Sequence, residues 1–447
     1  MRSNSIKTTT TIVLTHALTL VSIAPRAHAA DPVDPAFRIE KYLDELTEPT
    51  AIEFDAQGRL FIAEKSGRVR IALHGVIRNK PVIELPVHTF FECGLTGLAL
   101  HPDYPNTPYL YVFATTSFEE QQILRYRIVN GTGVEQTIIR RNIPTGGTIH
   151  NGGCLRFGPD GMLYFSVGDN GTASNAQADN TLAGKVCRIT PEGEIPSDNP
   201  FTTASGAASA VYAMGFRNPF RFCFSEDGRL FLSDVGSSGM ERREEINLVR
   251  AGRNYGWPNK EGAASDTAGD GFEPPIFDYA DLGQCITGIV SYRGSHFPEP
   301  YRGNLFQLDY TLSRIFRVTL NGDQVAEHSL FAQAEGSIVD ITEGPDGRLY
   351  YTELTTGVIK RIGYSPDETT EPGAGLDEND WGGDPAGEDP CDNSAEPSNC
   401  ANDNGGAGPI GGDLLAMLCG SGAALAGIVP LALLCMRSAM PHRRRRQ

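Results

Sequence analysis

The sequence predicts an all-β protein, a six-bladed β-propeller, and three observations carry that prediction. The 50 glycines and 29 prolines are spread along the 447 residues, as a turn-rich β protein requires. A hairpin built on a turn glycine recurs as FDAQGRLFIAE (54–64), FGPDGMLYFSVGD (157–169), FSEDGRLFLSDVG (224–236) and EGPDGRLYYTE (343–353). Each copy is followed by one more short apolar strand.

The hairpin signal is physical. Asp160-Gly161 marks a turn that needs positive φ, which glycine supplies without a Cβ clash. Leu60, Leu163, Leu230 and Leu349 each stand two residues after the turn glycine and open a period-two strand. Looser copies at 98–115 and 290–308 fill the gaps, and the following strands are 67–73, 123–129, 184–190, 244–249, 313–320 and 357–363. Such units cannot bury a core alone, and radial closure protects their edges; the competing architectures are a β-sandwich or two smaller β domains.

In chain order, residues 1–29 read as a secretory signal: Arg2 and Lys7, an apolar run from Ile12 to Ala24, then Ala27-His28-Ala29 as a small-x-small cleavage site. The propeller occupies 30–365. Its five cysteines (93, 154, 187, 223 and 285) are an odd number without a CxxC pair, which argues against a zinc or redox site and for small buried hydrophobes. Residues 366–413 are acidic, without Lys or Arg, and predict a disordered linker. Residues 414–436 are 23 uncharged, mostly apolar residues followed by Arg437 and Arg443 to Arg446. That is long enough to span a bilayer, with the arginines on the cytoplasmic side. The expected location is therefore periplasmic, cell-surface or secreted, with membrane association through 414–447 as an anchor or a sorting tag. A net charge of −17 makes nucleic acid an unlikely partner on electrostatic grounds.

Equivalent positions of successive blades lie on a ring, so register predicts convergence. His150 is ten residues before Asp160, Arg217 ten before Asp227, and Glu92 eleven before Asp103. All three stand where a blade's first strand begins and should surround the mouth of the axial channel. The structural alternatives are a loop histidine, a loop-capping Arg217-Asn218-Pro219 and a solvated Glu92. Chemically, neutral histidine suits a general base and arginine suits a developing negative charge. The pair fits removal of a hydroxyl proton as hydride departs. No GxSxG elbow is present and no GxGxxG follows a strand to open a helix, which disfavours a serine hydrolase and a nicotinamide cofactor.

TIHNGG (148–153), GFRNP (215–219), ECGLTGLALHPDY (92–104) and SDVGSSGMERREEINLVRAGRNYGWP (233–258) together resemble the glucose/sorbosone dehydrogenase family, over roughly residues 38–364. The resemblance implies a secreted propeller that oxidises an aldose or related alcohol with PQQ and calcium. It implies His150 as the base, Arg217 and Asn218 beside the reacting carbonyl of PQQ, Glu92 beside the cofactor, and the backbone carbonyls of Gly236 and Ser237 as calcium ligands. Two family features are absent: a lysine in the strand aligned with Asp309 to Ser313, and an Arg-x-Arg where this chain reads Gly336-Ser337-Ile338-Val339. Both hold cofactor carboxylates; Arg293 and Arg314 are the neighbouring substitutes. The DVG…EEINLV…NYGW pattern also resembles the propeller of hedgehog-interacting proteins. The alternative function is thus a non-catalytic surface propeller that binds a glycan or protein, and a third is a calcium-dependent lactonase-type propeller.

Overall fold

The computed structural model describes residues 31–145, 148–201, 209–238, 242–263, 271–280 and 284–366. The predicted signal, the linker from Asp367 onward and the apolar C-terminal segment lie outside the described residues. Among the described residues no helix is long and apolar enough to cross a membrane.

Six antiparallel sheets form a six-bladed propeller. Blade 1 runs through Pro49–Phe54, Leu60–Glu64, Arg68–Leu73 and Val76–Ile77. Blade 2 contains Leu95–Leu100, Tyr109–Ser117, Glu120–Val129 and Thr132–Pro144. Blade 3 contains Leu155–Phe157, Leu163–Val167, Lys185–Ile189 and Val211–Met214. Blade 4 contains Pro219–Phe224, Leu230–Asp234, Glu244–Val249 and Phe277–Tyr279. Blade 5 contains Ile286–Ser291, Leu305–Asp309, Arg314–Asn321 and Gln324–Gln333, with Asp31–Pro32 added at its edge. Blade 6 takes only Ile338–Glu343, Leu349–Glu353 and Val358–Tyr364 from the end of the ring. Its outer strand is Phe37–Leu43, paired with Val358–Tyr364, so the N-terminal strand closes the circle. The repeat count did not anticipate that strand, because it belongs to no hairpin copy.

The turn glycines behave as the sequence requires: φ is +81° at Gly58, +74° at Gly161, +85° at Gly228 and +72° at Gly347. Only the glycine is left-handed. In blade 3 the Gly161 N–H donates to the Gly158 carbonyl, and Asp160 accepts from the Met162 N–H at 3.1 Å, so the aspartate caps the turn. Six apolar clusters lie between neighbouring blades, one of them reaching across blades 4, 5 and 6, and hold the ring together. Phe61, Phe113, Phe165, Phe231 and Phe306 are fully buried there, each contributing about 1.5–3 kcal/mol of apolar burial. Cys93, Cys154, Cys187 and Cys223 are buried thiols, as expected of small hydrophobes; Cys285 departs from that expectation, because it is disulfide-bonded.

A second regularity positions the site. The second strand of blades 1, 4, 5 and 6 begins with leucine and ends, four residues on, with an acid: Glu64, Asp234, Asp309 and Glu353. Each is buried and accepts a backbone N–H from the loop that leads into its own blade. Glu64 takes Thr47 (2.6 Å), Asp234 takes Arg217 (3.0 Å) and Asn218 (2.7 Å), Asp309 takes Cys285 (3.1 Å) and Glu353 takes Glu335 (3.3 Å). These charge-assisted bonds latch the loops at the mouth of the channel.

The channel itself is closed. Arg221 donates to the carbonyls of Thr50 (2.7 Å) and Thr96 (2.9 Å) and pairs with Asp340 at 3.2 Å. Arg156 approaches the same carboxylate at 3.5 Å. Above this plug lies a cavity of about 30 Å³, lined by Thr50, Lys65, Glu92, Thr96, Phe220 and Arg221 among others, room for about one water. Below it, a cavity of about 370 Å³ is lined by the far ends of the same strands, including Glu53, Phe157, Phe224 and Glu343.

Candidate active site

Blade 3 departs from the acid latch. Its second strand ends at Val167, and the acid comes two residues later as Asp169. Released from the latch, the Asp169 carboxylate meets the His150 ring: Nδ1 and Oδ1 are 2.6 Å apart. Its other oxygen accepts from the Trp257 indole N–H at 2.9 Å. Burial works against the Asp169 charge, yet the bonds from His150 and Trp257 and the nearby Arg217 hold its pKa below the usual carboxylate range. An ionised Asp169 can only accept, so His150 donates its Nδ1–H to it and keeps Nε2 as the acceptor nitrogen.

His150 is held on both sides of its peptide. Its φ is +56°, in the left-handed region, which costs a non-glycine residue about 1 kcal/mol or more. Its N–H donates to Glu92 at 2.7 Å, and the Asn170 side-chain amide donates to its carbonyl at 3.1 Å. Gly168 is obligatory on packing grounds: a Cβ there would sit 2.1 Å from the His150 carbonyl oxygen. Glu92 also accepts from the Asn151 N–H at 3.1 Å and from the Asn218 amide at 3.4 Å. Burial raises the Glu92 pKa, although His150, Asn151 and Arg217 oppose the rise. Glu92 is thus a brace across blades 2, 3 and 4, and is buried rather than solvated.

Arg217 is buried as well. Its guanidinium donates to the Val235 carbonyl at 3.2 Å, touches the Ser238 hydroxyl at 3.5 Å and stands 5.8 Å from the Trp257 ring. Its own carbonyl accepts from the Asp169 N–H at 2.7 Å. Asn218 donates to Glu92 and accepts from the Gly152 N–H at 3.2 Å. The shared register therefore did converge: Glu92, His150, Arg217 and Asn218 form one connected cluster at the mouth. Asp169, Trp257 and Asp234 belong to it and were not singled out in the sequence. The signal for Asp169 was there, as the one hairpin among the four glycine-turn copies whose closing acid is displaced by two residues.

Cofactor-holding groups divide into two sets. The N–H groups of Gly236 and Ser237 are tied to Glu244 (3.4 Å) and Glu261 (2.6 Å), beside the loop that Arg217 grips. Among the described residues no group of three or more His, Cys, Asp or Glu side chains could hold a metal ion, so any cation here would rest on backbone carbonyls. In the neighbouring blade 5, Asp309 is a buried latch with its pKa raised by burial, and the Gly336–Val339 stretch that enters blade 6 carries no charge. Arg293 does not replace the missing cations, because it lines the cavity below the plug and donates to the Phe224 carbonyl. Arg314 is engaged by Gln333 at 3.4 Å. Lys65 is a further buried cation above the plug, 3.4 Å from Glu48. The residues fit the reacting end of a quinone such as PQQ and do not fit its carboxylate end.

The family described as Glucose / Sorbosone dehydrogenase matches residues 46–361. The chain belongs to that family. Aldose sugar dehydrogenase YliI of Escherichia coli K12 is 29% identical over 356 residues, 72% of this chain and 92% of the relative. The PQQ-bound form of aldose sugar dehydrogenase from Streptomyces coelicolor superposes with a TM-score of 0.64 at 27% identity, covering 74% of this chain and 99% of that one. The human Hedgehog-interacting protein is 28% identical over 221 residues, 41% of this chain and 31% of its own. The family resemblance read from the motifs is thereby borne out, including its hedgehog-interacting branch.

Proposed function

We propose that this protein is an exported oxidoreductase that oxidises the anomeric hydroxyl of an aldose. The observation that carries the reading is the His150–Asp169 pair, which leaves Nε2 of His150 as acceptor in the cluster where the Asp169 N–H also bonds the Arg217 carbonyl. His150 Nε2 takes the hydroxyl proton while Asp169 and Trp257 hold the ring, and the resulting imidazolium is stabilised by the ionised Asp169. Arg217 stabilises negative charge that develops opposite the base. A bound quinone such as PQQ, with calcium on the carbonyls of Gly236 and Ser237, would supply the hydride acceptor. The lactone and a proton are the products on the sugar side.

The test is reconstitution of the secreted chain with PQQ and calcium, followed by dye reduction with several aldoses. Turnover should fall by about 10²–10⁴-fold in His150→Ala. Absence of PQQ binding by calorimetry at micromolar cofactor would remove the PQQ assignment. The Hedgehog-interacting relatives favour a second reading, a propeller that binds a glycan or protein without turnover. That reading predicts ligand binding unchanged by calcium or PQQ.

A further inference from the structure

The axial channel has a second end, on the side where the blade hairpins turn. There the cavity of about 370 Å³ below the plug is lined from five blades. Glu53, Ala99, Arg156, Cys223, Val290 and Thr342 share one register. Each stands one residue before the partner of its blade's hairpin leucine: Leu60, Leu110, Leu163, Leu230, Leu305 and Leu349. All but Ala99 line the cavity. The ring contains no residue of the His150 cluster, and the Arg221–Asp340 plug separates the two.

The charges around this cavity are not equally available. Glu343 already accepts the backbone N–H of Arg293 at 2.7 Å and that of Gly294. Arg156 is engaged by the carbonyls of Leu98 (3.2 Å) and Leu155 (3.0 Å) and by Asp340 at 3.5 Å. Glu53 accepts the Leu100 N–H, and its Oε2 is buried without a partner. Burial pushes its pKa up to about 7; Asp340 adds to the rise and Arg156 opposes it. Cys223, whose thiol burial pushes up to about 12, stays neutral. Arg293 differs from all of these. It is exposed at the cavity wall, and its guanidinium donates to the Phe224 carbonyl, which leaves most of its donor fork unused. An accessible cation beside carboxyls that are neutral or engaged makes this end of the channel receptive to an anion.

We propose that the lower cavity binds a small carboxylate with an apolar body, its carboxylate on the Arg293 guanidinium and its body against Phe157, Phe224 and Val290. A guanidinium meets a planar carboxylate with two parallel N–H bonds. The aromatic and aliphatic walls suit an organic body better than a bare inorganic anion, and the volume is that of a small-molecule site. An ionised Glu53 repels the ligand, so the neutral form is the one that binds. The site stands apart from the chemistry at His150 and does not depend on the oxidoreductase reading.

The experiment is calorimetric titration of the secreted chain, without PQQ, at pH 6 and pH 8. Benzoate, ionised at both, is the probe; benzylamine and sulfate are the controls. Benzoate should saturate one site with a Kd of about 1 mM or tighter at pH 6. Its Kd should rise about tenfold at pH 8, in proportion to the fall in neutral Glu53. Glu53→Gln should bind benzoate at pH 8 as tightly as wild type does at pH 6. Arg293→Gln should weaken binding about tenfold or more with Tm unchanged, because the backbone N–H to Glu343 is kept. The site is overturned by the absence of saturable heat up to about 10 mM benzoate, or by equal affinity in Arg293→Gln. Benzylamine or sulfate binding as tightly as benzoate overturns it too. A pH dependence that persists in Glu53→Gln overturns the role given to Glu53.

Discussion

Arg217 and Arg221 stand four residues apart, both buried, and face opposite fates. Arg221 is saturated: two carbonyls from blades 1 and 2 and the Asp340 carboxylate of blade 6 enclose its guanidinium. Arg217 has one carbonyl at 3.2 Å, a hydroxyl at 3.5 Å and an indole face. The first closes the channel and ties blades together; the second keeps donor capacity at the mouth. Residue type and register place an arginine, but the partners it meets decide whether it holds the fold or the chemistry.

The largest expected effect comes from breaking the saturated side. Asp340→Ala leaves Arg221 buried without its counter-charge and strips Arg156 and the Ile52 N–H of the same acceptor. The cost should be about 3–5 kcal/mol, read as a lowered Tm with folded protein still recoverable at low temperature. The comparison sharpens when one substitution is made twice. Arg221→Lys should lower Tm through lost bonds to Thr50 and Thr96, with activity per folded molecule retained. Arg217→Lys should leave Tm within a few degrees and lower kcat by about 10²-fold, since a lysine cannot present the planar donor fork. Loss of Tm in both, with kcat retained in both, would show that Arg217 is only another structural arginine.

How legible each side was follows from the same contrast. The six hairpins were readable because Leu two residues after a turn glycine is a local pattern, repeated at Leu60, Leu163, Leu230 and Leu349. His150, Arg217 and Glu92 were readable because distance from the turn is conserved by the blade geometry. The plug was not singled out: Arg221 and Asp340 each stand six residues before the turn aspartate of their hairpins, Asp227 and Asp346, but Arg156 stands four before Asp160, and register alone does not say which side chains on the ring pair. The closing strand Phe37–Leu43 was missed for a related reason: its partner, Val358–Tyr364, lies more than three hundred residues away. Asp169 was hidden by being an exception to a latch that only the hydrogen bonds reveal. Glu92 was readable as a position, but its role as a backbone brace depends on the N–H groups of His150 and Asn151.

The smallest effect tests the plug from below. Glu53 faces the lower cavity, one of its carboxylate oxygens is buried without a partner, and burial pushes its pKa up to about 7 despite Arg156 nearby. A carboxyl whose folded pKa exceeds its unfolded value near 4.5 binds more protons in the native state between those limits. Its contribution is therefore fully present below about pH 4.5 and is lost as pH rises through about 7. Glu53→Gln stays neutral throughout, so it should gain about 1–3 kcal/mol over wild type at pH 8 and almost nothing at pH 4.5. Thermal unfolding of both proteins across that range reads the difference directly. A constant Tm offset at all pH values would mean that Glu53 is already ionised in the fold, drawn by Arg156 into the same charged network that Asp340 completes.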